Sequence, residues 1–293
     1  MRRRAALAAA LALLCACGSQ TVSSSASPRI AVLSAFPAEM APLLAQATVE
    51  STVTINGHVF RVGVLGGVPV VIGLTGIGLL NAAATTHALL DQFPVKGIVV
   101  SAVAGSSVQI GDVVVPGAWA FKDGTMYGTH EPWIDLARTI AASGAVALER
   151  CADVPDASPD PVCMLEQPTI VVGGTGQSAD SFGSTPFACQ PNGGDIYGCD
   201  LPSGSATATG ESHVFTTAAA TAAPIVVDME TAAIAREAAQ RGVPFIAFRA
   251  VSDGAGDPLG LATFLEFSAY YRFAAHNASL MTIPFLQRLA AAQ

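Results

Sequence analysis

Charged side chains are scarce in this sequence. Asp, Glu, Lys and Arg make up 12% of its 293 residues, about half of the roughly 25% found in average globular proteins. Hydrophobic residues make up 51%, which excludes an intrinsically disordered chain and predicts a large buried core. Fourteen Lys and Arg stand against 22 Asp and Glu, a formal charge of −8. Because no basic cluster follows residue 4, the sequence lacks a surface for a phosphate backbone, and we expect no nucleic-acid partner.

The N-terminal segment lacks a hydrophobic run long enough for a permanent membrane span. Three arginines at residues 2–4 precede the apolar run 5–14, which is too short to cross a bilayer but suits the core of a signal peptide. The run ends in LCACGS at residues 14–19. This segment resembles a bacterial lipobox, in which a Cys that follows a small residue is acylated and becomes the new N-terminus.

We therefore predict a signal peptide over residues 1–16, a lipidated Cys17, and a tether over residues 17–28 that is rich in Ser. The alternative is an ordinary signal peptide that is cleaved nearby. In either case the protein is exported, and we expect it at the bacterial periplasmic or outer cell surface. Its contact with the membrane is then through the lipid anchor only.

Cysteine is the next scarce residue. Beyond the N-terminal segment there are four, all within a Pro-, Gly- and Ser-rich stretch of about residues 150–212: Cys151, Cys163, Cys189 and Cys199. An oxidising compartment favours disulfides. The spacings of 12 and 10 make bridges 151–163 and 189–199 the simplest of the three possible connectivities. No C-x-x-C pair is present, and the five histidines are scattered, so we predict no metal site.

Short apolar runs alternate with helical or glycine-rich segments along the rest of the chain. Runs without polar alternation indicate strands buried on both faces. We predict such strands at residues 30–35, 68–74, 97–101, 112–115, 169–172 and 245–251, and helices at 79–93, 230–241 and about 262–292. The pattern predicts an α/β domain with a central mixed sheet, in which catalytic groups cluster where strands end.

Three polar positions lie at such ends. Glu39 follows the first strand, with no other charge between residues 33 and 49, so burial there would raise its pKa, as a general acid or base requires. The alternative is a solvated carboxylate in the first turn of a helix. The second position is the TGIG turn at residues 75–78, whose backbone N–H groups can bind an anion or a ribose oxygen. The third comprises Glu230, at a helix entrance, and Asp253, at the end of the next strand.

Two other charged residues accompany this third position. Arg249 is an isolated charge inside an apolar strand. An unpaired charge there would be very costly, so we expect Arg249 to pair with a buried carboxylate. Asp228 stands two residues before Glu230, and a structural carboxylate at the helix entrance is the favoured interpretation of it.

Five motifs occur in one order over residues 29–116 and 168–293: SAFPAE at 34–39, TGIG at 75–78, SAVAG at 101–105 with GDVVV at 111–115, VDME at 227–230, and RAVSD at 249–253. Together they resemble the nucleoside phosphorylase/nucleosidase superfamily, most closely its methylthioadenosine/S-adenosylhomocysteine nucleosidase branch. The resemblance implies a single-domain, three-layer α/β/α sandwich over residues 29–293, with the disulfide-bearing segment at about 150–212 as an insertion. It also implies a homodimer and no cofactor.

The resemblance implies roles that match what cleavage of a purine N-glycosidic bond requires. The leaving base must be protonated at N7 as the sugar becomes an oxocarbenium-like centre. Asp253 corresponds to that general acid, and Ser252 can orient it. Glu230 corresponds to the residue that binds the ribose 2′- and 3′-hydroxyls, with Met229 packed under the ring. Glu39 corresponds to the general base that holds the attacking water.

The remaining substrate contacts follow from the same motifs. Phe182 is the candidate for stacking on the base, although a core role is the alternative. Thr75, Ala104 and Gly105 are the other predicted substrate contacts. Residues 183–212 and 117–165 depart from the nucleosidase pattern, and the stretch around Trp119 looks more like exported members of the superfamily, which include plant vegetative storage proteins. The substrate therefore stays open at this point.

Water is favoured over phosphate as the nucleophile. A phosphorylase binds a dianion with cationic side chains, and neither residues 37–60 nor residues 62–95 contain Lys or Arg. The sequence therefore predicts a hydrolase that releases free base and a ribose moiety from adenosine-like or methylthioadenosine-like nucleosides. A phosphate-dependent phosphorylase and a non-catalytic binding or storage-type lipoprotein are the two alternatives.

Overall fold

The computed structural model describes residues 27–154, 158–201 and 225–291. The predicted signal peptide, Cys17 and most of the tether lie outside the described residues, as do residues 202–212 of the predicted insertion. Within the described ranges, no helix combines the length and the apolar character needed to cross a bilayer.

The described residues form six helices and fourteen strands. The helices are α1 (Pro37–Leu44), α2 (Leu79–Gln92), α3 (Glu131–Ser143), α4 (Gly194–Tyr197), α5 (Thr231–Gln240) and α6 (Thr263–Ala291). The first eight strands are β1 (Arg29–Ser34), β2 (Thr48–Ile55), β3 (His58–Leu65), β4 (Val68–Leu74), β5 (Val95–Gln109), β6 (Val113–Val115), β7 (Ala118–Phe121) and β8 (Met126–Gly128). The others are β9 (Cys151–Ala152), β10 (Val162–Cys163), β11 (Ile170–Val172), β12 (Thr175–Ser178), β13 (Val226–Asp228) and β14 (Phe245–Ala255).

Twelve of the strands form one mixed sheet, whose main path runs β2-β3-β4-β1-β5-β13-β12-β7-β8. Strand β1 is parallel to both β4 and β5. The 15-residue strand β5 is long enough for three neighbours: it pairs with β1 and β14 in parallel and with β13 in antiparallel orientation. Strand β14 also pairs with β6, which in turn pairs with β11. The sheet therefore branches at β5.

Both faces of the sheet are covered. In β1, Ile30 and Val32 belong to one apolar core, whereas Ala31 and Leu33 belong to the other. This alternation explains why the strand is apolar at every position, since successive side chains point to opposite faces. Helices α1, α3 and α6 cover the first face with Met40, Trp133 and Phe285, and helices α2 and α5 cover the second with Leu89 and Ile234. The predicted three-layer α/β/α sandwich is confirmed.

The predicted elements are present with shifted bounds. The strand predicted at 97–101 extends over Val95–Gln109, and the helix predicted at 230–241 begins at Thr231. The β2–β3 hairpin was not predicted, and neither were strands β7, β8, β12 and β13 and helix α3. Strand β2 lies at the edge of the sheet and is exposed along most of its length. An edge strand of this kind carries polar residues and lacks the apolar run by which the inner strands were recognised.

The two disulfides pair as predicted. Cys151 bonds to Cys163 across the small β9–β10 hairpin, and Cys189 bonds to Cys199. Strands β11 and β12 of the main sheet lie between the two bridges in sequence. The disulfides therefore belong to two separate excursions from the sheet rather than to one continuous insertion.

Candidate active site

Glu39 is a buried carboxylate in the first turn of α1. Strand β1 ends at Ser34, and the chain turns into α1 with Pro37 at its first position. The backbone N–H groups of Ala35 and Phe36 donate to Oε2 of Glu39 at 2.6 and 3.3 Å, and that of Val103 donates to Oε1 at 2.8 Å. The side chain is 1% exposed, which excludes a solvated helix-start carboxylate.

Burial raises the pKa of Glu39 to about 7, because the charged form loses its hydration. The positive charge of Arg249 and the three backbone N–H donors oppose this rise but do not cancel it. A carboxyl group poised near neutrality can both accept and return a proton at physiological pH.

Glu230 lies on the second wall of the site, at the entrance of α5. Its Oε1 accepts a hydrogen bond of 2.9 Å from the backbone N–H of Gly78, the last residue of the TGIG turn. Gly78 has φ of +98°, and a Cβ there would lie 2.9 Å from the ring of Phe182, so only glycine suits the position. Burial raises the pKa of Glu230 to about 8, with the negative charges of Asp228 and Glu39 adding to the rise.

Arg249 holds these carboxylates together. Its Nη2 lies 2.7 Å from Oδ2 of Asp228 and 3.5 Å from Oε2 of Glu230, and its Nη1 donates to the carbonyl oxygen of Val103 at 2.8 Å. The prediction that this buried arginine pairs with a buried carboxylate is confirmed. Asp228 also accepts hydrogen bonds from the first N–H groups of α5, Glu230 and Thr231, which is the structural role favoured for it.

Asp253 lies near the end of β14, opposite Gly105 of β5. Ser252 donates to its Oδ1 at 2.7 Å, and the Ser252 hydroxyl is 3.4 Å from the carbonyl oxygen of Ala104. A Cβ on Gly105 would lie 2.6 Å from Oδ2 of Asp253, so this glycine allows the carboxyl group to approach the strand. Burial raises the pKa of Asp253, opposed by the Ser252 hydrogen bond.

Strand β5 is therefore the common base of the site. Val103 binds Glu39, and Gly105, two residues further on, lies against Asp253. Two residues along a strand span about 7 Å, so the contact points of Glu39 and Asp253 on β5 lie about that far apart. Arg249 contacts both Val103 and Glu230 and so brings Glu230 to the same part of the strand.

Three other predicted substrate contacts lie on segments that neighbour these carboxylates. Thr75 is buried, and its backbone N–H donates to the carbonyl oxygen of Ser34 at 2.8 Å. Phe182 is half-buried and packs against the ring of Phe187, with the ring centroids 4.9 Å apart. Met229 is half-buried in the turn between β13 and α5. Phe182 thus lies against Gly78, which binds Glu230, while Thr75 and Met229 are close in sequence to Gly78 and Glu230.

Sequence reasoning missed Asp180 as part of this region. Its Oδ2 accepts a hydrogen bond of 2.6 Å from the backbone N–H of Leu79, at the N-terminus of α2, and its Oδ1 accepts one from Phe182. Asp180 thereby fixes Phe182 to the TGIG turn. The only signal available was its position two residues before Phe182, since the helix that it caps lies about a hundred residues earlier in the sequence.

Across residues 27–154, 158–201 and 225–291, no group of three or more His, Cys, Asp or Glu side chains is arranged to hold a metal ion. The site described above is built from carboxylates, one arginine and backbone N–H groups.

Two proteins of known sequence illustrate what this chain is similar to. The chain is 27% identical over 268 residues to the 5′-methylthioadenosine/S-adenosylhomocysteine nucleosidase of Shewanella sediminis, with 89% of this chain and 100% of that protein covered. It is 31% identical over 192 residues to an uncharacterized protein of Mycobacterium tuberculosis, with 58% of this chain and 75% of that protein covered.

Solved structures share the fold. The 5′-methylthioadenosine/S-adenosylhomocysteine nucleosidase of Neisseria meningitidis, in complex with methylthio-immucillin-A, matches with a TM-score of 0.60 at 20% identity, covering 88% of this chain and 98% of that one. Futalosine hydrolase of Helicobacter pylori matches with a TM-score of 0.60 at 18% identity, covering 91% and 98%. The family model of the phosphorylase superfamily matches residues 29–283. Because this match spans most of the chain, the protein belongs to the phosphorylase superfamily.

Proposed function

We propose that this protein hydrolyses the N-glycosidic bond of purine nucleosides and releases the free base and a ribose moiety. The observation that carries the proposal is that Glu39 and Asp253 contact residues two apart on β5, Val103 and Gly105, while Arg249 links Glu230 to Val103. All three carboxyl groups have raised pKa values because they are buried. Perturbed carboxyl groups that share one site are typical of acid–base catalysis.

Asp253 is assigned the protonation of the leaving base. Its raised pKa keeps a larger share of the carboxyl group protonated near neutral pH. In the proposed reaction its proton passes to N7 of the purine as the C1′–N9 bond breaks and the bond electrons move onto the base. Ser252 holds Oδ1 and thereby sets the orientation of the carboxyl group.

The other two carboxylates bind the sugar and activate the water. Glu230 accepts hydrogen bonds from the ribose 2′- and 3′-hydroxyls, and its charge stabilises the positive charge that develops on the sugar. Glu39 accepts a proton from water as the water oxygen bonds to C1′. Its three backbone donors hold the carboxylate in place for this step.

Water rather than phosphate is supported by the pairing of Arg249 and Arg61, which leaves neither side chain free for an anion. Arg249 contacts the site carboxylates, and each of its three side-chain nitrogens already contacts a protein acceptor. Arg61, whose side chain contacts Met40 on α1, pairs with Asp200. A phosphate dianion would meet the charge of Glu39 without a compensating clamp.

The relatives support the same reaction class. The Shewanella sediminis protein is named as a nucleosidase, and the Helicobacter pylori structure is described as a futalosine hydrolase. We propose adenosine-like or methylthioadenosine-like nucleosides as substrates of this chain.

The test is base release by the purified protein from adenosine, inosine, methylthioadenosine and S-adenosylhomocysteine, with and without phosphate. We expect release that does not depend on phosphate and that falls at least about a hundredfold in Glu39→Gln, as is common when a general base is removed. Glu50→Gln is the matched control, because Glu50 is an exposed carboxylate on β2.

Two outcomes would contradict the proposal. Release only in the presence of phosphate would identify a phosphorylase. No release from any nucleoside, with binding of nucleoside or base still measurable by calorimetry, would identify a binding protein on this fold.

A further inference from the structure

A cross-linked segment lies against the outer side of the candidate site. We call residues 187–200, closed into a loop by the Cys189–Cys199 disulfide, the strap. It contains the short helix α4, which packs against α1.

The strap is anchored to several elements. The side-chain amide of Asn81 on α2 donates to the carbonyl oxygen of Phe187 at 2.6 Å. On α6, Arg272 and Tyr271 bind Asp195 at 2.7 and 3.0 Å. On β3, Arg61 pairs with Asp200. Anchors at its beginning, middle and end make the strap a fixed wall rather than a loose loop.

The strap faces the loops that position the catalytic carboxylates. Ala35, Gly76 and Ile77 line one side of a crevice, and Phe187, Ile196 and Tyr197 of the strap line the other. The backbone N–H of Ala35 binds Glu39, and Gly76 and Ile77 belong to the turn whose last residue binds Glu230. The crevice has a free volume of about 10 Å³, room for about one water molecule.

The order of the strands places the strap on the far side of Glu39 from Asp253. The strap contacts Arg61 on β3, and it faces the residues that follow β4 and β1. Asp253 lies over β5 and β14. Since the sheet runs β3-β4-β1-β5, the strap and Asp253 flank the sugar position from opposite sides.

This placement identifies which part of a nucleoside meets the strap. With the base at Asp253 and the 2′- and 3′-hydroxyls at Glu230, the 5′ carbon is carried by the ring atom at the opposite end of the sugar from the base. The 5′ substituent therefore points toward the crevice under the strap. This step rests on the proposed function, because that function sets the orientation of the nucleoside.

We propose that the strap determines substrate specificity at the 5′ position, with Ile196 and Tyr197 as the residues that limit its size. The protein then binds and cleaves compact purine nucleosides, whose 5′ group is a hydroxyl or methylthio group. It excludes nucleosides with a long 5′ tail, such as the amino-acid side chain of S-adenosylhomocysteine. A wall that clashes with one substrate and not with another is an efficient source of specificity.

The test compares kcat/KM for adenosine, methylthioadenosine and S-adenosylhomocysteine in the wild-type protein and in three variants. Ile196→Ala widens the wall directly, and the Cys189→Ser/Cys199→Ser double variant releases the strap. The matched control is Cys151→Ser/Cys163→Ser, which removes the other disulfide. Circular dichroism confirms that each variant is folded, and Ile196→Ala keeps the test valid if the double variant is not.

We expect the wild-type protein to favour adenosine over S-adenosylhomocysteine by at least about tenfold, the discrimination typical of a steric pocket. Ile196→Ala and the strap-released variant should raise the relative rate for S-adenosylhomocysteine by about tenfold or more. The control should keep the wild-type ratio. Equal rates for the two substrates in the wild-type protein, or an unchanged ratio in folded Ile196→Ala, would overturn the proposal.

These outcomes are separate from failure of the proposed function, which would appear as no base release from any nucleoside. In that case the same ratio is measured as dissociation constants for adenosine and S-adenosylhomocysteine by calorimetry. Equal affinities for the two in the wild-type protein would then overturn the specificity proposal.

Discussion

At the scale of single residues, burial determines which carboxyl groups of this protein can exchange protons near neutral pH. Glu39 and Glu230 have pKa values raised to about 7 and about 8 because their side chains lie away from water. Exposed carboxylates behave in the opposite way. The hydrogen bond from Arg241 lowers the pKa of Asp91.

The proposed roles predict a pH dependence of base release. As the pH falls through about 8 to 7, Glu230 and Glu39 take up protons, so kcat/KM should fall on the acid side. Burial also raises the pKa of Asp253, so loss of the proton that it donates to the base should lower kcat/KM at a higher pH than for an ordinary aspartic acid. The measurement is kcat/KM for adenosine between about pH 5 and 10. An acid limb near 4.5, the ordinary value for Glu, would contradict the assigned carboxylates.

Loss of Arg249 should lower the stability of the fold. Arg249→Met leaves the buried Asp228 without its cationic partner, so we expect the free energy of unfolding to fall by about 3–5 kcal/mol. The matched control is Arg138→Met, which removes an exposed arginine paired with Asp135 and should cost less than about 1 kcal/mol. Denaturant unfolding measures the loss of free energy of unfolding in both variants. Equal losses would show that the buried ion pair stabilises the fold no more than the exposed one.

At the scale of elements, β5 connects the parts of the site. It pairs with β1, β13 and β14, so it lies against the strands that lead into the segments carrying Glu39, Glu230 and Asp253. The backbone of β5 also contacts two of these groups directly, through Val103 and Gly105. A change at Gly105, where β5 meets Asp253, should therefore affect catalysis more than stability.

Gly105→Ala tests this dependence. The added Cβ would lie 2.6 Å from Oδ2 of Asp253, so the carboxyl group must move, and a displacement of about 1 Å can cost about a hundredfold in rate. We expect kcat for base release to fall at least about tenfold, with a small change in melting temperature. The control is Gly128→Ala in β8, where a Cβ would meet nothing within 4 Å. If both variants kept wild-type kcat, the close approach of Gly105 to Asp253 would have no catalytic role.

At the scale of the whole molecule, the candidate site belongs to a protein that we expect to be anchored outside the cytoplasm. The prediction rests on the LCACGS segment at residues 14–19, which lies outside the described residues. Two intramolecular disulfides, Cys151–Cys163 and Cys189–Cys199, agree with an oxidising compartment.

Replacing the predicted acylation site tests the anchor. In a bacterial host, Cys17→Ala should move the protein from the detergent-soluble membrane fraction to the soluble fraction, because a protein without its acyl chains loses the stabilisation of membrane insertion. Cys15→Ala, two residues earlier, removes a cysteine that the lipobox does not use and is the matched control. Fractionation followed by mass spectrometry of the N-terminal peptide gives the result. A Cys17→Ala protein that stays in the membrane fraction would contradict lipidation at this residue.

The sequence by itself was sufficient for six strands of the sheet, β1, β4, β5, β6, β11 and β14, and for the acidic residues of the site. Runs such as residues 30–35 and 245–251 are apolar because both faces of the sheet are covered, and this constraint is visible locally at every position. Glu39, Glu230 and Asp253 could be selected because each is a charged residue next to such a run. The mostly exposed edge strand β2 was missed, since solvent on one side removes the same signal.

The tertiary structure decided how these residues meet. Val103 contacts Glu39 across 64 residues, Gly78 contacts Glu230 across 152, and Val103 contacts Arg249 across 146. Contacts of this separation depend on which strands become neighbours, and no local pattern of side chains records that choice. The position of the strap over the site likewise depends on contacts between segments that are distant in the sequence. Local polarity therefore identified the groups, whereas strand order determined their distances and the pKa values that follow from burial.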